Sequence, residues 1–155
     1  MNKKIIYSYI AGLIDGEGCI RINCQLPQTS KQNIRYKLEV SLHMTKPQSI
    51  EFVNSFFPAS SIYRKPYKGI RNHCDSFQWT IWNKSAYSLL KSIQPYIILK
   101  KEQVKLGLKF YEHLLKYSSL RYKKGKEGTN SLPAYIIKER ELFYQKLKLL
   151  NKRGK

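Results

Sequence analysis

Asp15 and Glu17 stand two positions apart in the stretch YIAGLIDGEG, residues 9–18, among Gly12, Gly16 and Gly18. They are two of only ten acidic residues in a chain of 155 that carries 29 Lys and Arg. Carboxylates placed where a helix runs out suit a hard cation. The last carbonyls of a helix lack intrahelical partners and form the negative end of its dipole. Mg2+ asks for only one or two protein oxygens and takes the rest from water and phosphate. Gly16 and Gly18 let a ligand come close to the backbone. Gly12 and Gly16 also leave one helix stripe almost free of side chains, so two such helices can pack backbone to backbone. On spacing alone, the same residues equally describe a capped helix with an acidic turn.

Positioning these groups requires a helix over residues 2–15. Asn2 is suited to its N-cap, and Ile5, Ile6, Tyr9, Ile10 and Leu13 recur at helical spacing. Gly16 and Gly18 are expected to end the helix, with Glu17 just beyond it. The period then changes to two. CIRINCQL alternates Ile20, Ile22, Cys24 and Leu26 with Arg21, Asn23 and Gln25; IRYKLEVSLHM alternates Tyr36, Leu38, Val40, Leu42 and Met44 with Arg35, Lys37, Glu39, Ser41 and His43. A short helix in PQSIEFVNSFF, with Pro47 in its first turn, separates this hairpin from a second one. In the second, SFQWTIW turns Phe77, Trp79 and Ile81 inward and Ser76, Gln78 and Thr80 outward. Helices are expected to follow in SAYSLLKSI, QPYIILKK, EQVKLGLKFYEHLLKY and PAYIIKERELFYQKLKLL.

This order predicts an α+β fold, an antiparallel sheet with helices on one face. The other face is left bare and carries Arg21, Asn23, Gln25, Arg35, Lys37, His43, Gln78 and Thr80. Arg pairs with guanine and Gln or Asn with adenine in the major groove, which a β-ribbon can enter. Each residue alone is equally a solvated strand residue; the set is not. Arg64, Lys65 and Arg71 of the second hairpin join as weaker candidates because its register is unsettled. Glu39 could accept from cytosine or pair with Arg35 or Lys37. The run RYKKGKEGT, with Lys123, Lys124 and Lys126, suits phosphate contacts, which position a protein without specifying sequence.

A net charge of +19 argues for a polyanionic partner, because self-repulsion of that size opposes a compact state. Nucleic acid is favoured over membrane, since no long amphipathic helix has a continuous basic face. No apolar run reaches the ~18 residues of a membrane span. MNKKIIYSYIAG begins like a leader, but Ser8 and the tyrosines break it, and a helix is expected instead. Three cysteines, Cys19, Cys24 and Cys74, give neither a disulfide framework nor a zinc spacing and suit a reducing intracellular compartment.

IAGLIDGEG, residues 10–18, resembles the nine-residue motif of the LAGLIDADG homing endonucleases. Ile10 replaces Leu, Gly16 replaces Ala and Glu17 replaces the final Asp. The resemblance implies a helix–hairpin–helix–hairpin–helix core over residues 2–117, with a saddle-shaped sheet, in one domain of 1–155 that ends in a basic loop and helix. It implies a site-specific DNA endonuclease, encoded within an intron or other mobile element, using Mg2+ (or Mn2+). Glu17 and the Gly16 carbonyl would hold the metal at the scissile phosphate. QPYIILKKEQ, residues 94–103, is similar to a segment of single-motif members whose lysine lies in the active site; that position is Lys100. The slot of a polar residue near metal-bound water falls on Lys46, and Ile50 stands where some relatives use arginine. Motif helices of the family pair through residues matching Ala11, Gly12, Asp15 and Gly16. With a single motif per chain, a homodimer and a pseudo-palindromic double-stranded DNA target are implied. Family members also act as maturases on intron RNA, and a non-catalytic DNA-binding regulator is a third reading.

Overall fold

The computed structural model describes residues 2–26, 34–66, 75–118 and 132–152. Asn2 caps the first helix, α1 (Lys3–Glu17), its side-chain oxygen accepting the Lys4 N–H at 2.9 Å. The helix continues through Gly16 and ends on Glu17 rather than before it. Its buried stripe, Ile6, Ile10, Ala11 and Ile14, anchors it to the sheet. That packing outweighs the ~1 kcal/mol penalty of a glycine in a helix. The chain then enters β1 (Gly18–Gln25) with no intervening loop. Gly18 permits this: its N–H donates to the Ile14 carbonyl, and a Cβ there would lie 2.6 Å from Ile14 backbone atoms.

The chain continues through β2 (Arg35–Met44), α2 (Pro47–Phe56), β3 (Ser61–Lys65), β4 (Ser76–Trp82) and α3 (Asn83–Ile93). The strands form one antiparallel sheet in the order β1-β2-β4-β3. The alternation read from the sequence places Ile20, Ile22, Tyr36, Leu38, Val40, Leu42, Trp79 and Ile81 in the core beneath the helices. A 3-10 turn, Gln94–Tyr96, leads to α4 (Lys101–Lys116). Residues 97–100, expected to be helical, are not. The N–H groups of Ile98 and Lys100 donate to the Asp15 carboxylate instead of to helical carbonyls.

The last described helix, α5 (Ala134–Leu150), lies against α4 and β1. It contributes Leu147 to the core, and Asn151 just beyond it donates to the Ile20 carbonyl at 2.8 Å. Tyr36 donates its hydroxyl to Glu141 at 2.5 Å. The core therefore extends past residue 117, and the outer edge of β1 is partly covered, which blunts its capacity to pair with foreign strands.

Candidate active site and nucleic-acid interface

Charged groups converge where α1 gives way to β1. Asp15 is engaged within its own chain: one oxygen accepts the Ile98 N–H at 2.7 Å and the other the Lys100 N–H at 3.0 Å. Its carboxylate thus clamps residues 97–100 while the residue itself stays half-buried. Lys100 reciprocates, its ammonium donating to the Ile14 carbonyl at 2.8 Å and to the Asp15 carbonyl. A cation on the negative end of a helix contributes ~0.3–1 kcal/mol, more when partly buried. Lys100 is therefore more than a lysine on a helix surface.

Glu17 differs from both. It is exposed, and among the described residues its carboxylate accepts no hydrogen bond and pairs with no cation. Gly16, also exposed, lies in the last turn, where the helix supplies no donor to its carbonyl. Lys46 stands at the same end of the sheet. Leu42 lies opposite Gly18, so the chain leaving β2 passes beside the start of β1. The Lys46 side chain is exposed and makes no cap bond to α2. Ile50 is buried in α2. Burial pushes the nearby Cys19 thiol above its ordinary value, the Arg21 charge opposing it more weakly, so the thiol stays protonated at neutral pH.

The uncovered sheet face is ordered in rows fixed by the register. Gln25 lies beside Arg35, Asn23 beside Lys37, Glu39 between Arg21 and Trp82, and Gln78 between His43 and Tyr63. Gln25, Arg35 and His43 are exposed, while Lys37 and Gln78 are half-buried. Partial burial, then the charges of Lys65 and Arg21, hold the His43 imidazole below its ordinary value.

Several expectations need correction. Glu39 pairs neither with Arg35 nor with Lys37; it is buried and accepts from Arg21, Asn23 and Trp82. Thr80 is on the expected face but buried, its hydroxyl accepting from Gln78 at 3.0 Å, so it presents little to a ligand. Arg64 lies opposite Phe77, on the helix side of the sheet, and pairs with Asp75. Lys65, opposite Ser76, does share the uncovered face. Arg71, Lys123, Lys124 and Lys126 lie outside the described residues.

The outward side of α1 carries a narrow apolar stripe, flanked by the exposed Lys4 and Ser8. Ile5 and Tyr9 are 61% and 46% exposed, and a Cβ at Gly12 or Gly16 would meet nothing within 4 Å. Tyr9 rests edge-on against Phe52 at 5.3 Å. Ile98 and Leu99, about three-quarters exposed, belong to the segment that Asp15 ties to the end of this helix. Ala11, expected on the same surface, is fully buried in the chain's own core and faces the sheet instead.

The sequence model of the family described as LAGLIDADG endonuclease matches residues 10–104. The chain belongs to that family. No curated protein matches it. Among solved structures, the homing endonuclease I-CvuI, in complex with its target, aligns with TM-score 0.73 and 17% identity over 99% of this chain and 86% of that one. I-Vdi141I, an archaeal intron-encoded homing endonuclease complexed with DNA, aligns with TM-score 0.73 and 15% identity over 99% and 89%. The meganuclease I-SmaMI, bound to uncleavable DNA, aligns with TM-score 0.63 and 14% identity over 96% of this chain but only 45% of its own. At these identities the likeness concerns the fold.

Within this LAGLIDADG chain, the residues fit a divalent cation as one share of a larger site. Among the described residues no three His, Cys, Asp or Glu side chains gather. A metal here would take the unengaged Glu17 carboxylate and the Gly16 carbonyl, completing its shell from water, phosphate or a second chain. Among the described residues, no helix is long and apolar enough to cross a membrane. Sequence reasoning missed Trp82 on the uncovered face, although the parity that selects Gln78 selects it, and Tyr63, which only the register of β3 on β4 places there. It also missed Ile98 and Leu99, which a helical reading of QPYIILKK made unremarkable.

Proposed function

We propose that this LAGLIDADG protein is a homing endonuclease that makes a double-strand break in a long pseudo-palindromic DNA target, by metal-dependent phosphodiester hydrolysis, as a homodimer. The observation that carries the reading is Glu17: an unengaged carboxylate at the negative end of α1, in a chain of charge +19, on the helix end whose Ile14 and Asp15 carbonyls hold the Lys100 ammonium. Mg2+ or Mn2+ held there would stabilise charge on phosphoryl oxygens and help make hydroxide from water. The chain's own residues do the rest. Asp15 fixes residues 97–100, so the Lys100 ammonium stays at the helix end, where it can balance negative charge gathered around Glu17. Lys46, exposed at the same end of the sheet, would orient water or hold a phosphate oxygen.

Each chain brings one Glu17, and cutting two strands takes two. The exposed Ile5, Tyr9, Gly12 and Gly16 stripe, with Ile98 and Leu99 beside it, supports a two-fold partner there. The match to less than half of I-SmaMI agrees with a chain that works as a pair. Gln25, Arg35, Lys37, His43, Lys65 and Gln78 serve as DNA contacts, with Arg21 and Asn23 among them.

The test is cleavage of a library of palindromic sites in Mg2+ by wild type and Glu17→Gln. Discrete cutting by wild type alone, with DNA affinity retained in the variant, is expected. Equal loss of binding and cutting would remove Glu17 from the metal role. No cutting by wild type, with tight binding to structured RNA, would put the maturase reading first.

A further inference from the structure

Glu39 lies on the second strand of the sheet, on the face that no helix covers, yet it is only 2% exposed. A carboxylate buried in that way is unfavourable unless its lone pairs are met. Here both oxygens are met. One accepts Arg21 Nε at 2.8 Å and also Arg21 Nη2; the other accepts Asn23 Nδ2 at 3.1 Å and Trp82 Nε1 at 3.3 Å. Arg21 and Trp82 are the register partners of Glu39 on its two flanks. The contacts therefore bind three neighbouring strands together beneath the surface on which DNA would lie.

The consequence for Arg21 is directional. A guanidinium presents two forks, a side edge of Nε and Nη2 and an end of Nη1 and Nη2. Glu39 fills the side edge. Among the described residues Nη1 has no partner, and the side chain remains 46% exposed. The end fork is thus left for a ligand, and it matches the O6 and N7 acceptors of guanine in the major groove. Asn23 is oriented by the same carboxylate, which takes its Nδ2 and turns Oδ1 the other way.

We propose that Glu39 is a positioning residue for sequence recognition: it fixes Arg21 to read guanine end-on and withholds it from phosphate. The inference rests on the reading of this face as the DNA contact. Because the pair is close to neutral, Arg21 adds discrimination more than affinity. An arginine released from Glu39 would swing to the backbone and bind every sequence.

The experiment selects bound sequences from a palindromic library with the full chain as wild type, Glu39→Gln and Arg21→Lys. Wild type should favour guanine at one position of each half-site. Glu39→Gln should lose roughly tenfold of that preference at that position alone, and keep the others. Its binding to unrelated DNA should tighten, with a salt dependence steeper by about one phosphate for each arginine released. Arg21→Lys keeps the charge and the contact with Glu39 but lacks the fork, and should lose the same position. If Glu39→Gln fails to fold, an unaltered Arg21→Lys profile overturns the proposal and a loss confined to one guanine supports it. An unaltered Glu39→Gln profile, or an equal loss at all positions, also overturns it. Wild type that selects no sequence would remove the DNA reading and this inference with it, whereas a selective wild type matched by Glu39→Gln removes the inference alone.

Discussion

Asp15 lies two positions before Glu17, yet the two carboxylates have different neighbours. Asp15 accepts two backbone N–H groups, and Asp15→Asn leaves an amide that can accept through only one of its two atoms. The variant should lose ~1–3 kcal/mol of stability, read by urea unfolding. Its cutting should fall as well, because the segment that holds Lys100 in place loosens. A variant with unchanged stability would show the clamp to be dispensable. His43 gives a prediction in pH. Its folded value lies below the unfolded one, so the unfolded state binds the proton more readily. The His43 contribution is present above about pH 6.5 and is lost as pH falls through the folded value. His43→Gln should therefore flatten stability in mildly acidic solution, measured as unfolding midpoint against pH. Glu17 and Lys100 were legible because contiguous motifs carry them. The Glu39 contacts were not, because alternation assigns a residue to a face and says nothing of which neighbours lean over it.

The elements separate glycines needed for folding from glycines the isolated chain does not need. At Gly107 in α4 a Cβ would lie 3.1 Å from Leu90 Cδ1 and 3.2 Å from Leu38 Cδ1, in the packed layer between helix and sheet. Gly107→Val should cost ~1–3 kcal/mol by overpacking. Gly12 has open space around it, and Gly12→Leu should leave the monomer's unfolding midpoint the same or higher, since glycine is a poor helix former. The proposed dimer, however, should fail for Gly12→Leu. Sedimentation should then show monomer and cutting should be lost, while a fully active dimer would place the partner elsewhere. The strands were readable from the sequence because the period of two runs unbroken along the apolar side of β2, from Tyr36 to Met44, with Glu39 among the polar residues that alternate with it. The end of α1 and residues 97–100 were misjudged for a common reason. Burial of Ile14 and the hydrogen bonds of Asp15 are tertiary, and both override local glycine and helix signals.

At the scale of the whole molecule, charge and apolar surface act in opposite directions. Each chain carries +19, so bringing two together without DNA sets like charges against the attraction of Ile5, Tyr9, Ile98 and Leu99. Salt screens that repulsion, with a Debye length of ~10 Å at 0.1 M. It also weakens binding to DNA, where each phosphate contact releases about one counterion. The two equilibria should therefore respond to salt with opposite sign. Between about 0.05 and 0.5 M salt, DNA-free association should tighten, followed by sedimentation equilibrium, while affinity for a DNA duplex falls steeply. In the proposed complex DNA would resolve the conflict, since its phosphates would neutralise the basic faces that otherwise repel. A duplex should consequently promote pairing of chains at low salt, where the free protein is most reluctant to pair. Association that weakens with salt in the absence of DNA would mean that ion pairs hold the two copies, and the apolar stripe of α1 would lose its role as the contact between them.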